Sequence, residues 1–264
     1  MGSFGNKMVA FSGRKLFLDT FSGAAVGWSL QNLKETTVFV VRVRRSSDNV
    51  EQDFRAIEIT NGALLTFVGA NDGFVTTIYD QVGSNNFTQV TTTRQGFLVN
   101  AGVLNLLNGK PVILRNTVGG GYISSYAPNG ATAKGLFYLG RMGNAFNQGI
   151  MIGTLNNGAS YIYNSQINGS NTNVNSNATL SNQKINGSTF TYSTLGDVYS
   201  QTQNQSLIAA NIIFNFVSNS LSLGYRFTNP STLGMWSFQE LVIFDNTNET
   251  AAKENNINSR YSIY

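Results

Sequence analysis

Histidine and cysteine are both absent from this 264-residue chain. Without cysteine there is no disulfide staple, thiolate nucleophile or zinc–sulfur site. Without histidine, the side chain that most often exchanges protons near neutral pH is missing. Carboxylates are scarce too: between Asp80 and Asp197 a stretch of 116 residues has none. That removes from nearly half the sequence the groups that acid–base work and oxygen-ligated metal sites need. Gly, Asn, Ser, Thr, aliphatics and aromatics fill it, broken by isolated cations such as Arg94, Lys110, Arg115, Lys134, Arg141 and Lys184. Charged residues make up only 11% of the chain, less than half the ~25% of an average domain. Few ions would be desolvated on association, which suits a subunit of an assembly. The net charge of +4 is scattered apart from Arg42, Arg44 and Arg45, so there is no basic stripe of the kind that binds nucleic acid. No run approaches the ~18 apolar residues of a membrane span. The start, MGSFGNKMVAFSGRKLFLDTFSG, lacks the order of a signal peptide. The expectation is a product made in a cytoplasm, without membrane insertion and without a cofactor.

What the chain does contain is β-periodicity. In Thr37 to Val43 and on to Arg44, Val41 and Val43 alternate with Arg42 and Arg44, as in a half-buried strand. Strand-like runs recur at Phe74 to Tyr79, Val112 to Leu114, Gly135 to Leu139, Tyr161 to Tyr163, Leu207 to Phe216, Leu221 to Tyr225 and Trp236 to Phe244. Asn-Gly pairs at 61–62, 108–109, 129–130, 157–158, 168–169 and 186–187, and Asp-Gly at 72–73, supply turns between them. Many short strands with glycine turns predict an all-β sandwich or jelly roll. Asn164 to Asn182 is nearly all Asn, Ser, Thr and Gly and reads as a long loop or irregular hairpin. A short helix is expected within Glu58 to Val68. A second is expected over Asn248 to Tyr261, with Asn246 as N-cap, Glu249 closing a capping box and pairing with Lys253, and Ile257 and Tyr261 as its apolar contact. The organisation expected is an N-terminal arm over 1–18 followed by a single domain over 19–264.

Four segments together carry a resemblance: VRVRRSSDNVEQD at 41–53, DGFVTTIYDQVG at 72–83, NGKPVI at 108–113 and ELVIFDNTNETAAKENNINSRYSIY at 240–264. They resemble the module related to the catalytic domain of fungal α-L-arabinofuranosidase B, a concanavalin A-like, laminin-G-like jelly roll that recurs in bacteriophage virion proteins. The likeness spans most of residues 20–264. It implies a concanavalin A-like jelly-roll β-sandwich with one short internal helix and a C-terminal helix. The family's enzymes carry a vicinal cysteine pair, a nucleophilic glutamate in an Asp-x-Glu-Asn motif and an acid/base aspartate near a Gly-Gly-Asp turn. This chain has no cysteine, and the centre where the nucleophile would fall lies in the carboxylate gap. Leu223 to Asn229, aligned loosely with the acid/base turn, offers Arg226, Phe227 and Thr228 instead of an aspartate. A retaining glycosidase needs two carboxyl groups ~5–5.5 Å apart, so the expectation is that the likeness transfers the fold and not the reaction, and that the chain is not an enzyme.

The remaining clusters each carry two readings. Arg42, Arg44 and Arg45 beside Asp48, Glu51 and Asp53 read as an ion-pair and loop-bracing network, with a sugar or phosphate clamp as the alternative. Asp80 reads as an Asx-turn carboxylate that braces the amides of Gln81 to Gly83, with a catalytic role as the alternative. Asp19, Asp72 and Asp245 lie beside turns without the dense oxygen ligands of a calcium loop, and no metal is expected. Tyr122, Tyr126, Tyr161 and Tyr163 could face a glycan, as could Tyr138, Tyr192 and Tyr199; in a sandwich most such rings half-bury instead. Trp28 and Trp236 are assigned to the core or an interface. Three functions fit. The first is a non-catalytic bacteriophage virion structural protein (capsid decoration, head fibre or tail subunit), packing against other virion proteins as a homo-oligomer, a trimer among the forms allowed. The second is an adhesin that binds a carbohydrate or host-surface receptor. The third is a glycoside hydrolase of the arabinofuranosidase B type.

Overall fold

The strand Trp236–Phe244 is buried at all nine of its positions, and a strand like that needs a partner on each edge and a packed layer on each face. The computed structural model describes residues 15–115, 121–128, 132–142, 149–154, 160–165, 170, 178–214, 220–224, 236–248 and 250–264. In it, Trp236–Phe244 pairs antiparallel with Ala24–Ser29 on one edge and with Lys134–Met142 on the other. The sheet continues through Ser206–Phe214 to Ala178–Ile185. Along Lys134–Met142 the register slips between Leu139, opposite Glu240, and Gly140, opposite Phe238. Gln239 is therefore the extra residue of a β-bulge, and it resets the alternation of its strand. Phe238 before it and Leu241 and Ile243 after it all face the main core. Val242 and Phe244 face the opposite side.

A second antiparallel sheet lies across that main core. Glu51–Phe54 pairs with Val41–Arg45, which pairs with Gly73–Ile78. Gly73–Ile78 splits its far edge between Phe87–Thr88 and Phe97–Asn100. From Phe87–Thr88 the sheet runs on through Tyr122–Ser124, Leu221–Leu223 and Gly149–Thr154 to Ser160–Ser165. The short strand Ile113–Leu114 pairs with both sheets, at Phe97 and at Ser237–Phe238, and stitches the two layers along one edge. The fold is thus an all-β jelly-roll sandwich. Asn108-Gly109 and Asn186-Gly187 close two hairpins, with φ 51 and 69 in the first and 51 and 77 in the second. Both central residues are left-handed, the turn that matches strand twist.

The first sheet is covered outside as well. Ile257 and Tyr261 of the helix Thr250–Tyr261, together with Phe17, Phe21 and Leu33, pack on Phe137, Leu139, Leu207, Val242 and Phe244. Phe17, at the end of the expected arm, meets Phe244 edge-on at 5.9 Å. A buried network pins the terminal helix. Glu240, 1% exposed, accepts from both terminal nitrogens of Arg260 and from the hydroxyls of Ser29 and Tyr261. Burial works against the Arg260 charge, but Glu240 keeps its pKa raised.

Local expectations and structure part at several points. The helix expected within Glu58 to Val68 is two helices, Ala56–Thr60 and Ala63–Val68, because Asn61-Gly62 intervenes and Gly62 sits at φ 97. A further helix, Leu195–Thr202, was not expected; Thr194 and Asp197 form its reciprocal capping box. Ala178 to Asn182, expected in the Asn-rich loop, belong to the strand Ala178–Ile185, and 166–169 and 171–177 lie outside the described residues. Asn246 accepts from the Asn248 amide ahead of the terminal helix, while Glu249 lies outside the described residues. Lys253, expected to pair with Glu249, is buried with its ammonium 4.0 Å from the Phe244 ring centroid. Trp28 and Trp236 are both in the core.

Candidate functional site

On the strands of the second sheet, inward valines dictate outward arginines. Val41, Val43 and Val75 are fully buried, so Arg42, Arg44 and, on the neighbouring strand, Phe74 project from the outer face. Across the hairpin, Arg42 stands opposite Asp53 and Arg44 opposite Glu51. Only the first pair closes: Arg42 forks onto Asp53 through Nε at 2.7 Å and Nη2 at 2.9 Å. The Tyr79 hydroxyl donates to the same carboxylate at 2.6 Å. Arg42, above all, then Tyr79 hold the Asp53 carboxyl below the usual carboxylate range against its partial burial. Burial, with Asp53 adding to it, pushes the Tyr79 phenol up to about 12. Arg45 forks onto Asp48 at 2.8 and 2.7 Å and lies over the Phe67 ring, bracing the turn.

Arg44 behaves differently. It is 7% exposed, yet among the described residues it forms no ion pair. Its Nε donates to Gln95 Oε1 at 2.9 Å and its Nη1 to Asn49 Oδ1 at 2.6 Å, both neutral amides. Its guanidinium lies 4.8 Å from the Phe74 ring centroid. Glu51, its register partner, accepts instead from the Thr76 hydroxyl at 3.3 Å. Around Arg44 lies a surface groove of about 710 Å³ lined by Asn49, Glu51, Phe74, Thr92, Thr93 and Gln95. The volume falls within the ~300–1,000 Å³ of small-molecule sites. Asn49 holds its place at the hairpin turn with φ 62. Gln95 follows a single 3-10 turn, Thr92–Arg94, and its amide donates to the Gln89 carbonyl at 2.9 Å. The groove therefore offers a pinned guanidinium, a carboxylate, hydroxyls, amides and one aromatic ring.

The other expected positions lie elsewhere. Asp80 organises the turn after Ile78: its carboxylate accepts from the backbone amides of Gly27, Val82, Gly83 and Asn85. Tyr122 corrects an expectation. It is fully buried, and its hydroxyl donates to the Val75 carbonyl and accepts from the Gly96 amide, so it cannot face a glycan. Tyr138 is likewise buried, donating to the Ser237 carbonyl. Tyr126 is half-buried beside Trp28. Tyr161 and Tyr163 fall on the strand Ser160–Ser165, with side chains outside the described residues. Asp19 caps the Glu35 amide, Asp72 the Ala101 amide, and Asp245 meets Lys134. Of the segment 223–229, residues 225–229 lie outside the described residues.

No protein-family model matches this chain, and no curated protein matches it. Solved structures do. A GH54 α-L-arabinofuranosidase mutant soaked with 4-nitrophenyl α-L-arabinofuranoside matches with a TM-score of 0.51 at 14% identity. A GH54 arabinofuranosidase soaked with a cyclic sulfate inhibitor matches at 0.50 and 15%. An arabinofuranosidase complexed with arabinofuranosyl-α-1,2-xylobiose matches at 0.51 and 15%. Each match covers 89% of this chain and 62% of the other, so this chain spans less than two thirds of their length. The fold is that of the GH54 arabinofuranosidases. The expectation that the chain is not an enzyme is corrected by these neighbours: the proteins that share the fold are themselves glycoside hydrolases, and missing motifs are no ground for a non-enzyme reading.

Proposed function

We propose that this protein is a carbohydrate-binding jelly roll carried on a bacteriophage particle, with its saccharide held in the groove around Arg44. The observation that carries the binding reading is the groove itself: a nearly buried guanidinium fixed by two neutral amides beside Phe74, Glu51 and free-standing threonines. Sugars are bound by such mixtures, in which polar groups meet hydroxyls and an aromatic face takes the C–H surface. Structures of the same fold have been solved with arabinofuranosyl ligands. The virion setting rests on the four sequence segments and on a charge content low enough for tight packing with other virion proteins as a homo-oligomer. A glycan array with the purified chain, repeated with Thr93→Val, tests the binding reading. Glycan-specific signal weakened by the substitution supports it; an empty array removes it. Mass spectrometry of purified particles tests the setting, and absence of the chain from them refutes it.

Glycoside hydrolysis is the second reading, favoured by the neighbours and by Glu51 and Asp53. These two are two residues apart on the strand Glu51–Phe54 and so share its outer face. Release of 4-nitrophenolate from 4-nitrophenyl α-L-arabinofuranoside, lost in Glu51→Gln, would establish it.

A further inference from the structure

The chemistry of the groove narrows the saccharide that it takes, a step that rests on the carbohydrate-binding reading above. A guanidinium carries five N–H donors in a planar fork. Arg44 spends one at Nε on Gln95 and one at Nη1 on Asn49. Three donors remain on the terminal nitrogens Nη1 and Nη2, and Arg44 lines the groove. An arginine this deeply placed usually meets a carboxylate. Here the carboxylate opposite in register, Glu51, is directed to Thr76 instead, so the guanidinium charge has no contact counter-ion among the described residues. Thr92 and Thr93 stand exposed on the groove wall.

We propose that the groove binds a carboxylate-bearing saccharide, a uronic- or sialic-acid type of residue, whose carboxylate lies against the Nη1–Nη2 edge of Arg44. The fork matches a carboxylate in two parallel N–H···O bonds, and the pins from Gln95 and Asn49 hold it in place before the ligand arrives, which cuts the entropy lost on binding. The sugar hydroxyls then meet Thr92, Thr93 and the rim carboxylate of Glu51. The last is a like charge near the ligand anion, so it weakens acid binding in particular.

Calorimetric titration of the full chain with trigalacturonate and 3′-sialyllactose, each against its methyl ester, tests this directly, with triglutamate as a non-sugar carboxylate. At least one acid should bind about tenfold or more tightly than its ester, as expected for a charge-assisted pair. Its affinity should fall with added salt, and triglutamate should not bind. Glu51→Gln, at an exposed position, removes the like charge and should raise the ratio of acid to ester affinity severalfold. Arg44→Gln should abolish the preference for acid over ester, with thermal unfolding confirming that the variant is folded. Equal binding of acid and ester would overturn the proposal and leave a neutral-sugar site. Triglutamate binding as well as the saccharides would overturn its saccharide part, and binding of none of these ligands would overturn it outright. In that last case, glycan-array signal that Thr93→Val weakens would show that the carbohydrate-binding reading itself survives.

Discussion

Replacing Glu240 by Gln keeps the shape of the side chain and removes its charge, which isolates what the buried network beneath the terminal helix contributes. The Glu240 side chain is 1% exposed and that of Arg260 14%. Their two contacts are a fork at 2.7 and 2.5 Å, and Ser29 and Tyr261 add hydroxyls to the same carboxylate. Breaking a buried pair by neutralising one partner leaves the other charge unpaired and costs about 3–5 kcal/mol. At about 2–4 °C per kcal/mol for a domain of this size, Tm should drop by about 6–20 °C. Arg260→Leu should cost a similar amount for the same reason. The double variant Glu240→Gln with Arg260→Leu leaves no orphaned charge and should lose clearly less than the sum of the single losses. Urea unfolding followed by circular dichroism gives all the free energies needed. A loss below ~1 kcal/mol for Glu240→Gln, or strict additivity in the double variant, would refute the claim that this pair locks the helix.

Three further outcomes follow from named contacts. Because Arg42 holds the folded-state pKa of Asp53 below its unfolded value, its contribution is complete above the unfolded pKa of about 3.9 and lost as pH falls through the lower folded value; Asp53→Asn should flatten the acid limb of a Tm-versus-pH profile there, by about 1 kcal/mol or less after solvent screening. Asp80→Ala leaves the amides of Gly27, Val82, Gly83 and Asn85 without their acceptor and should cost about 2–4 kcal/mol, with amide exchange rising first at 80–86; unchanged exchange would count against its bracing role. Gly187→Ala forces a side chain into φ 77 with the Tyr264 ring 3.1 Å from the new carbon, and should destabilise by about 1–2 kcal/mol, measured by the same unfolding curves.

The strands were legible wherever the sequence repeated a simple period or an unbroken apolar run. Trp236 to Phe244 reads as a strand and is one, and the alternation from Val41 to Arg44 gives the correct faces. The bulge at Gln239 was invisible, because a two-for-one register depends on the partner strand and not on the residue. Within 58–68 the apolar spacing and the Asn61-Gly62 turn signal conflicted, and the turn prevailed. The helix Leu195–Thr202 did leave a signal, a threonine three residues ahead of Asp197, hidden inside an otherwise β-like composition. The arginine cluster was visible in the sequence; the groove was not. Thr92, Thr93 and Gln95 reach Arg44 only through the pairing of Gly73–Ile78 with Phe97–Asn100. Tyr122 looked surface-facing because a three-residue strand is too short to declare its buried side.

The all-buried central strand also sets a timetable for folding. Its two long neighbours are Ala24–Ser29 and Lys134–Met142, with Ala24 opposite Phe244 far apart in the sequence. Until residues 236–244 have been synthesised, those two strands have no partner on that side and the apolar faces meant for Val242, Phe244 and Leu241 stay open. Contacts this distant along the chain slow the search for the native state and lengthen the time that sticky edges are exposed. During synthesis, then, those two strands stay open to misassociation until residues 236–244 emerge.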